Sequence, residues 1–204
     1  MTTYENLRVA RRGPIVSIAA YLLLTIAKLI AGHFLNSSSL IADGFNNLSD
    51  ILGNVALLIG LQLASQPADS DHRFGHWKIE DLSSLVTSFI MFVVGFQVLI
   101  QTVRKIFLRE ETVVDPLGAA VGVLSAIVMC AVYFYNKGLA KKLKSSALIA
   151  AAKDNLSDAV TSIGTSIAIV AASFNLTIID YITAIIITFF ILKTAYDIFM
   201  EATC

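Results

Sequence analysis

Charge is scarce in this chain, and neither sign dominates. Asp, Glu, Lys and Arg make up 15% of the 204 residues, against about 25% in an average soluble domain. The 15 Lys and Arg balance the 15 Asp and Glu, so there is no basic surface for nucleic acid. Cysteine is nearly absent. Cys130 and Cys204 cannot build a disulfide framework and say nothing of the redox compartment. No GxxxxGK[ST] loop is present to cradle ATP phosphates. No nucleophile–base set falls in the apolar segments, which argues against an enzyme, and nothing calls for a bound cofactor. Proline is confined to Pro14, Pro67 and Pro116.

What the chain has is apolar sequence. Hydrophobic residues reach 56% and the mean hydropathy is +0.76, too high for a water-soluble globule of this size. A membrane helix needs roughly 20 mostly apolar residues. Six such spans are expected, at about 14–34, 38–64, 83–103, 117–136, 145–174 and 177–199. The fold class is therefore an all-α membrane protein, with residues 1–204 forming one six-helix transmembrane domain. The second and fifth spans are longer and less apolar, and a hydropathy window would score them lowest. The three prolines fall at span starts or in a loop, where no helical hydrogen bond is lost. The breaks read His33–Ser37, Ser65–Lys78, Arg104–Asp115, Lys137–Lys144 and Ser173–Thr177. The short first and last breaks suggest antiparallel hairpins. From Pro14 the chain reads as a spanning segment, with no small-residue cleavage site of a secretory signal.

Lys and Arg set the orientation. Six spans place both termini and the 2–3 and 4–5 loops on one side. That side carries Arg8, Arg11, Arg12, Arg73, Lys78, Lys137, Lys141, Lys142 and Lys144. The opposite side carries Arg104, Lys105 and Arg109, matched by Glu110, Glu111 and Asp115. By the positive-inside rule both termini are cytoplasmic, in a multi-pass protein of the cell membrane.

Spans 2 and 5 share a repeat. Ser38–Asp50 reads SSLIADGFNNLSD and Ser146–Asp158 reads SALIAAAKDNLSD, with eight of thirteen positions identical at an offset of 108. Matching segments in the two halves of a transporter commonly build the substrate site near the midplane. In span 2 the polar residues Asp43, Asn46, Asn47, Asp50 and Asn54 recur at spacings of three and four, which puts them on one helix face. In span 5 Asp154, Ser157, Asp158, Thr161, Ser162 and Thr165 form a second stripe. The pairs Asn46/Asp50 and Asp154/Asp158 are equivalent under the repeat. Each offers two side-chain oxygens about one turn apart, roughly 5–6 Å between Cβ atoms.

Interhelical hydrogen bonding would account for the Asn and Ser residues. It does not account for the acids. A charged Asp at mid-membrane costs roughly 2.5–3.5 kcal/mol on the lenient insertion scale, so Asp50, Asp154 and Asp158 need compensation. Asn46, Asp50, Asp154 and Asp158 are accordingly the expected ion ligands, with Asp43 one to two turns outward along a possible pathway. Every donor is oxygen. Zinc and copper favour imidazole and thiolate, whereas manganese, magnesium and calcium suit carboxylate and amide oxygen. Magnesium dehydrates reluctantly. Manganese is the compromise, ferrous iron the next. Three clustered carboxylates in a low dielectric cannot all stay ionised. A divalent ion would displace a proton, so exchange of metal for protons is the natural cycle.

These residues resemble the cation diffusion facilitator family, and the resemblance covers essentially the whole chain. It is carried by the paired positions in spans 2 and 5 and by the loop string Gln66-Pro67-Ala68-Asp69 through Phe74-Gly75-His76-Trp77-Lys78-Ile79-Glu80. The resemblance implies six spans, with 1, 2, 4 and 5 around the metal and 3 and 6 beside them. It also implies export of divalent metal from the cytosol by alternating access, usually against protons, and a homodimer in the lipid bilayer. Zinc members carry a His in one of the paired positions. The pattern Asn46-xxx-Asp50 with Asp154-xxx-Asp158 lacks it and resembles the bacterial manganese-exporting branch, as do ADGFNNLSD and KDNLSD. The function implied is a Mn²⁺/H⁺ antiporter, with a zinc or iron(II) exporter as the alternative. Most relatives continue into a cytoplasmic C-terminal domain. These 204 residues stop at Cys204, just past span 6. The expectation is a shortened form whose dimer contact comes from the membrane domain or is weak.

Other residues carry lesser expectations. Asp69, Asp71, His72 and His76 in the 2–3 loop could form a secondary metal site, as matching positions do in some zinc members, although such loops are more often only solvated. Lys28 at mid-span 1 should pair with an intramembrane carboxylate or snorkel. Lys153 points about 100° away from Asp154 and is a candidate partner for an Asp on another helix. Lys78 looks like the family lysine that helps hold the dimer. Asp180 heads span 6, where the helix dipole suffices to explain it. Lys193 and Asp197 read as a surface pair, His33 as interfacial and Cys130 as a packing residue.

Overall fold

The computed structural model describes residues 9–64, 77–108, 114–174 and 176–203. Among the described residues six long helices follow one another: α1 Arg12–Phe34, α2 Ser38–Ala64, α3 Trp77–Phe107, α4 Leu117–Leu143, α5 Ser146–Ser173 and α6 Thr177–Thr203. There is no strand among the described residues. Among the described residues, five helices are long and apolar enough to cross a membrane. Asp43, Asn46, Asn47 and Asp50 make one face of the first half of α2 polar.

Serine starts the two repeat-bearing helices. Ser37 Oγ accepts from the Leu40 N–H at 3.1 Å, and Ser145 Oγ accepts from the Leu148 N–H at 3.3 Å. Each satisfies one of the orphan donors of a first helical turn. The α1–α2 turn passes through Asn36 at φ 56°, a left-handed conformation that Asn tolerates better than most residues.

The expected break Lys137–Lys144 is corrected. Helix α4 runs through it to Leu143, and only Lys144, at φ 51°, and Ser145 separate α4 from α5. Lysine is a good helix former, so the change to basic sequence marks where the helix leaves the apolar layer and not where it ends. Helix α3 likewise extends past 83–103 at both ends.

Helix α1 packs along α2, α4 along α5 and α3 along α6, while α2 also touches α5 and α6 and α1 also touches α4. The α3–α6 pair joins α2 through Ala42, Met91, Val98, Ala184, Ile187 and Ile191. Centrally, Tyr21 and Leu24 of α1 meet Met129 of α4 and Ala159 of α5. Spans 1, 2, 4 and 5 thus surround the bundle's polar centre, with α3 and α6 to one side. Exposed Leu22, Leu23, Phe89, Val93, Phe189 and Phe190 line the outer faces, as lipid-facing helices require.

Candidate functional site

The polar stripes of α2 and α5 meet in antiparallel register. Towards the α2 N-terminus, Lys28 of α1 bridges the two helices. Its ammonium lies 2.9 Å from Asp43 Oδ2, donates to Ser162 Oγ of α5 at 2.9 Å and reaches Asn47 Oδ1 at 3.4 Å. One turn further along α2, Asn46 Nδ2 donates to Asp158 Oδ1 of α5 at 3.2 Å and to Asp50 Oδ2 of its own helix at 3.1 Å. Residue numbers rise on α2 while they fall on α5, so the next level brings Asp50 opposite Asp154. The charge of Asp154 acts on both Asp50 and Asp158.

Three of the four expected ligands are therefore joined directly: Asn46, Asp50 and Asp158. Asp158 is buried, Asn46 and Asp50 are half-buried, and Asp154 is exposed. Among the described residues, no group of three or more His, Cys, Asp and Glu side chains is gathered to hold a metal ion. The arrangement is instead two carboxylates from opposed helices, linked by one amide, with a third carboxylate standing off in the open. The amide donor screens two like charges that would otherwise repel across a low dielectric.

Asp43, expected as a pathway residue, forms an ion pair. It is fully buried against Lys28, and this ion pair satisfies the expectation that Lys28 finds an intramembrane carboxylate. Lys153 is exposed. Asp180 is also corrected. It is buried and belongs to the start of α2: its carboxylate accepts from the Ser38 N–H at 2.7 Å, from Ser37 Oγ at 2.8 Å and from the hydroxyl of Ser39. A negative group at a helix N-terminus is favoured by the unpaired N–H groups and the dipole, but the helix in question is α2, not α6. The proposed loop site of Asp69, Asp71, His72 and His76 lies outside the described residues, as does the side chain of Lys78.

Sequence reading missed a second polar group. The Tyr21 hydroxyl of α1 donates to Asp158 Oδ2 and accepts from Asn155 Nδ2 at 2.9 Å. Asn136 Nδ2 of α4 donates to Asn155 Oδ1 at 2.7 Å and to Ser17 Oγ at 2.9 Å. All four residues are fully buried. A signal was available: Asn155 occupies the repeat position of Asn47, inside the shared NLSD stretch. Tyr21 and Asn136 carry no such mark.

The family described as the cation efflux transmembrane domain matches residues 15–203. The chain is 50% identical over 203 residues to the manganese efflux system protein MneS of Bacillus subtilis, covering 100% of this chain and 70% of that protein. It is 44% identical to the uncharacterized transporter YdbO of the same organism, with the same coverage. The manganese efflux system protein MneP, also from Bacillus subtilis, is 27% identical over 201 residues, covering 95% of this chain and 67% of that protein.

Proposed function

The chain belongs to the cation efflux family, and on that premise we propose that it exports Mn²⁺ from the cytosol in exchange for protons. As a family member it is a multi-pass membrane transporter of divalent cations, not an enzyme. The metal, the counter-ion, the direction and the cytoplasmic termini are our reading.

The observation that carries the reading is the link Asp50–Asn46–Asp158 across the α2–α5 contact. Its donors are carboxylate and amide, which suit a hard divalent cation better than zinc or copper. The name of MneS supports the same metal. As placed, Asn46 turns its amide nitrogen to both acids. A half-turn of that amide would exchange Nδ2 for Oδ1 and offer a third oxygen to an arriving ion. The exposed Asp154 is suited to meet the ion first, at the basic, cytoplasmic end of α5, before the ion passes to Asp50 and Asp158. With the ion gone, two acids facing each other across the helix contact favour proton uptake, which supplies the return half of the cycle. A homodimer in the bilayer belongs to the same proposal, by the family resemblance.

The test is transport in proteoliposomes carrying a Mn²⁺-sensitive dye and an internal pH indicator. Mn²⁺ movement should be matched by opposing proton movement, and Asp50→Ala and Asp158→Ala should abolish both. Mn²⁺ flux that ignores and leaves intact an opposing pH gradient refutes the exchange. Preference for Zn²⁺ or Fe²⁺ over Mn²⁺ in competition refutes the metal assignment.

A further inference from the structure

Asp158 is held at its two oxygens from opposite sides. Oδ1 faces α2, where it accepts from Asn46 at 3.2 Å. Oδ2 is taken by the Tyr21 hydroxyl of α1. Tyr21 has little freedom to give way. Its ring is completely buried among Leu24, Met129 and Ala159. Its hydroxyl is braced by Asn155, which is braced in turn by Asn136 and Ser17. Side chains of α1, α4 and α5 thus form one hydrogen-bonded chain that ends on a single oxygen of Asp158.

We propose that Tyr21 is a positioning residue that determines ion specificity: by occupying Oδ2 it leaves Asp158 a single oxygen, Oδ1, for the transported ion, and so disfavours calcium. The proposal rests on the transport site described above and adds a selectivity element to it. Calcium takes six to eight oxygens and commonly uses both oxygens of a carboxylate, at about 2.3–2.6 Å. A smaller ion with octahedral preference is satisfied by one oxygen from each of several groups. Withholding one oxygen therefore lowers the coordination available to calcium more than that available to manganese. The hydrogen-bonded chain behind Tyr21 keeps the hydroxyl from swinging aside to release Oδ2, since a break would leave the buried Asn155 Nδ2 without its acceptor.

The experiment is competition of Ca²⁺ against Mn²⁺ for the full chain in lipid nanodiscs, with thermal melting of the same samples. Tyr21→Phe keeps the ring and removes only the hydroxyl. It should reduce the Mn²⁺:Ca²⁺ preference by about tenfold, the low end of what outer partners of a metal ligand contribute, chiefly by tightening Ca²⁺. Asn155→Ala, which leaves the hydroxyl but unbraces it, should shift the ratio in the same direction by less, and it carries the test if Tyr21→Phe fails to fold. An unchanged ratio in a folded variant, or equal weakening of both ions, overturns the proposal. A wild type without saturable Mn²⁺ binding that Asp158→Ala removes instead overturns the functional reading on which it rests.

Discussion

The Lys28 ammonium stands 2.9 Å from Asp43 Oδ2, and both side chains are completely buried. The pair lies one turn towards the α2 N-terminus from Asn46 and ties α1 to α2, with Ser162 adding α5. A buried ion pair need not stabilise a fold relative to apolar residues, yet breaking one half leaves an uncompensated charge.

Lys28→Met should therefore lower stability by about 3–5 kcal/mol. The double variant Lys28→Met/Asp43→Leu should recover most of that loss, because neither charge remains. Thermal unfolding of the four proteins of this cycle in one detergent measures the coupling. A double variant no more stable than Lys28→Met would show that the charges are not compensating each other.

Asp180 places a carboxylate on the first turn of α2. Asp180→Ala removes charged hydrogen bonds to buried donors, and a loss of roughly 1.5–3 kcal/mol is expected. Asp180→Asn keeps one acceptor oxygen and should cost less. Hydrogen exchange resolved by segment should localise the loosening to the α1–α2 turn and the start of α2. Loosening confined to α6 would restore the simpler view that Asp180 serves its own helix.

Gly122 marks where α4 and α5 approach closely. An added Cβ would lie 2.2 Å from Ser166 Oγ and 3.0 Å from the Ser162 carbonyl. Gly122→Ala should destabilise by about 1–3 kcal/mol through overpacking. On α5 itself, Gly164 has open space at the same test. Gly164→Ala should be neutral, or stabilising by up to about 1 kcal/mol from helix propensity. Melting temperatures of the two variants separate packing from propensity.

A bound ion stabilises the folded state by mass action, about 2.7 kcal/mol at a hundredfold excess over Kd. Mn²⁺ should raise the melting temperature of the wild type, and a chelator should reverse the rise. Asp50→Ala and Asp158→Ala should melt at the same temperature with and without Mn²⁺. Retention of the full shift in both would place the ion elsewhere.

Much of this architecture was legible in the residues. The second span was expected at 38–64 and α2 covers Ser38–Ala64; the fifth was expected at 145–174 and α5 covers Ser146–Ser173. Proline placement and a stripe at spacings of three and four are local features, and local features are written in adjacent residues. The end of α4 was misread because a switch to lysine looks like a loop, although lysine propagates a helix once it is outside the apolar layer.

The sequence by itself determined that six helices form, which faces of α2 and α5 are polar, and that those faces supply oxygen donors. These depend on periodicity and composition within single segments. Only the tertiary structure decided which polar groups share a partner. Tyr21 and Asp158 are 137 residues apart in the chain, and Ser37 and Asp180 are 143 apart. Their meeting depends on the antiparallel register of α2 against α5 and on how α1 and α6 lie against them. That register is set by side-chain packing between helices, a property no single segment contains.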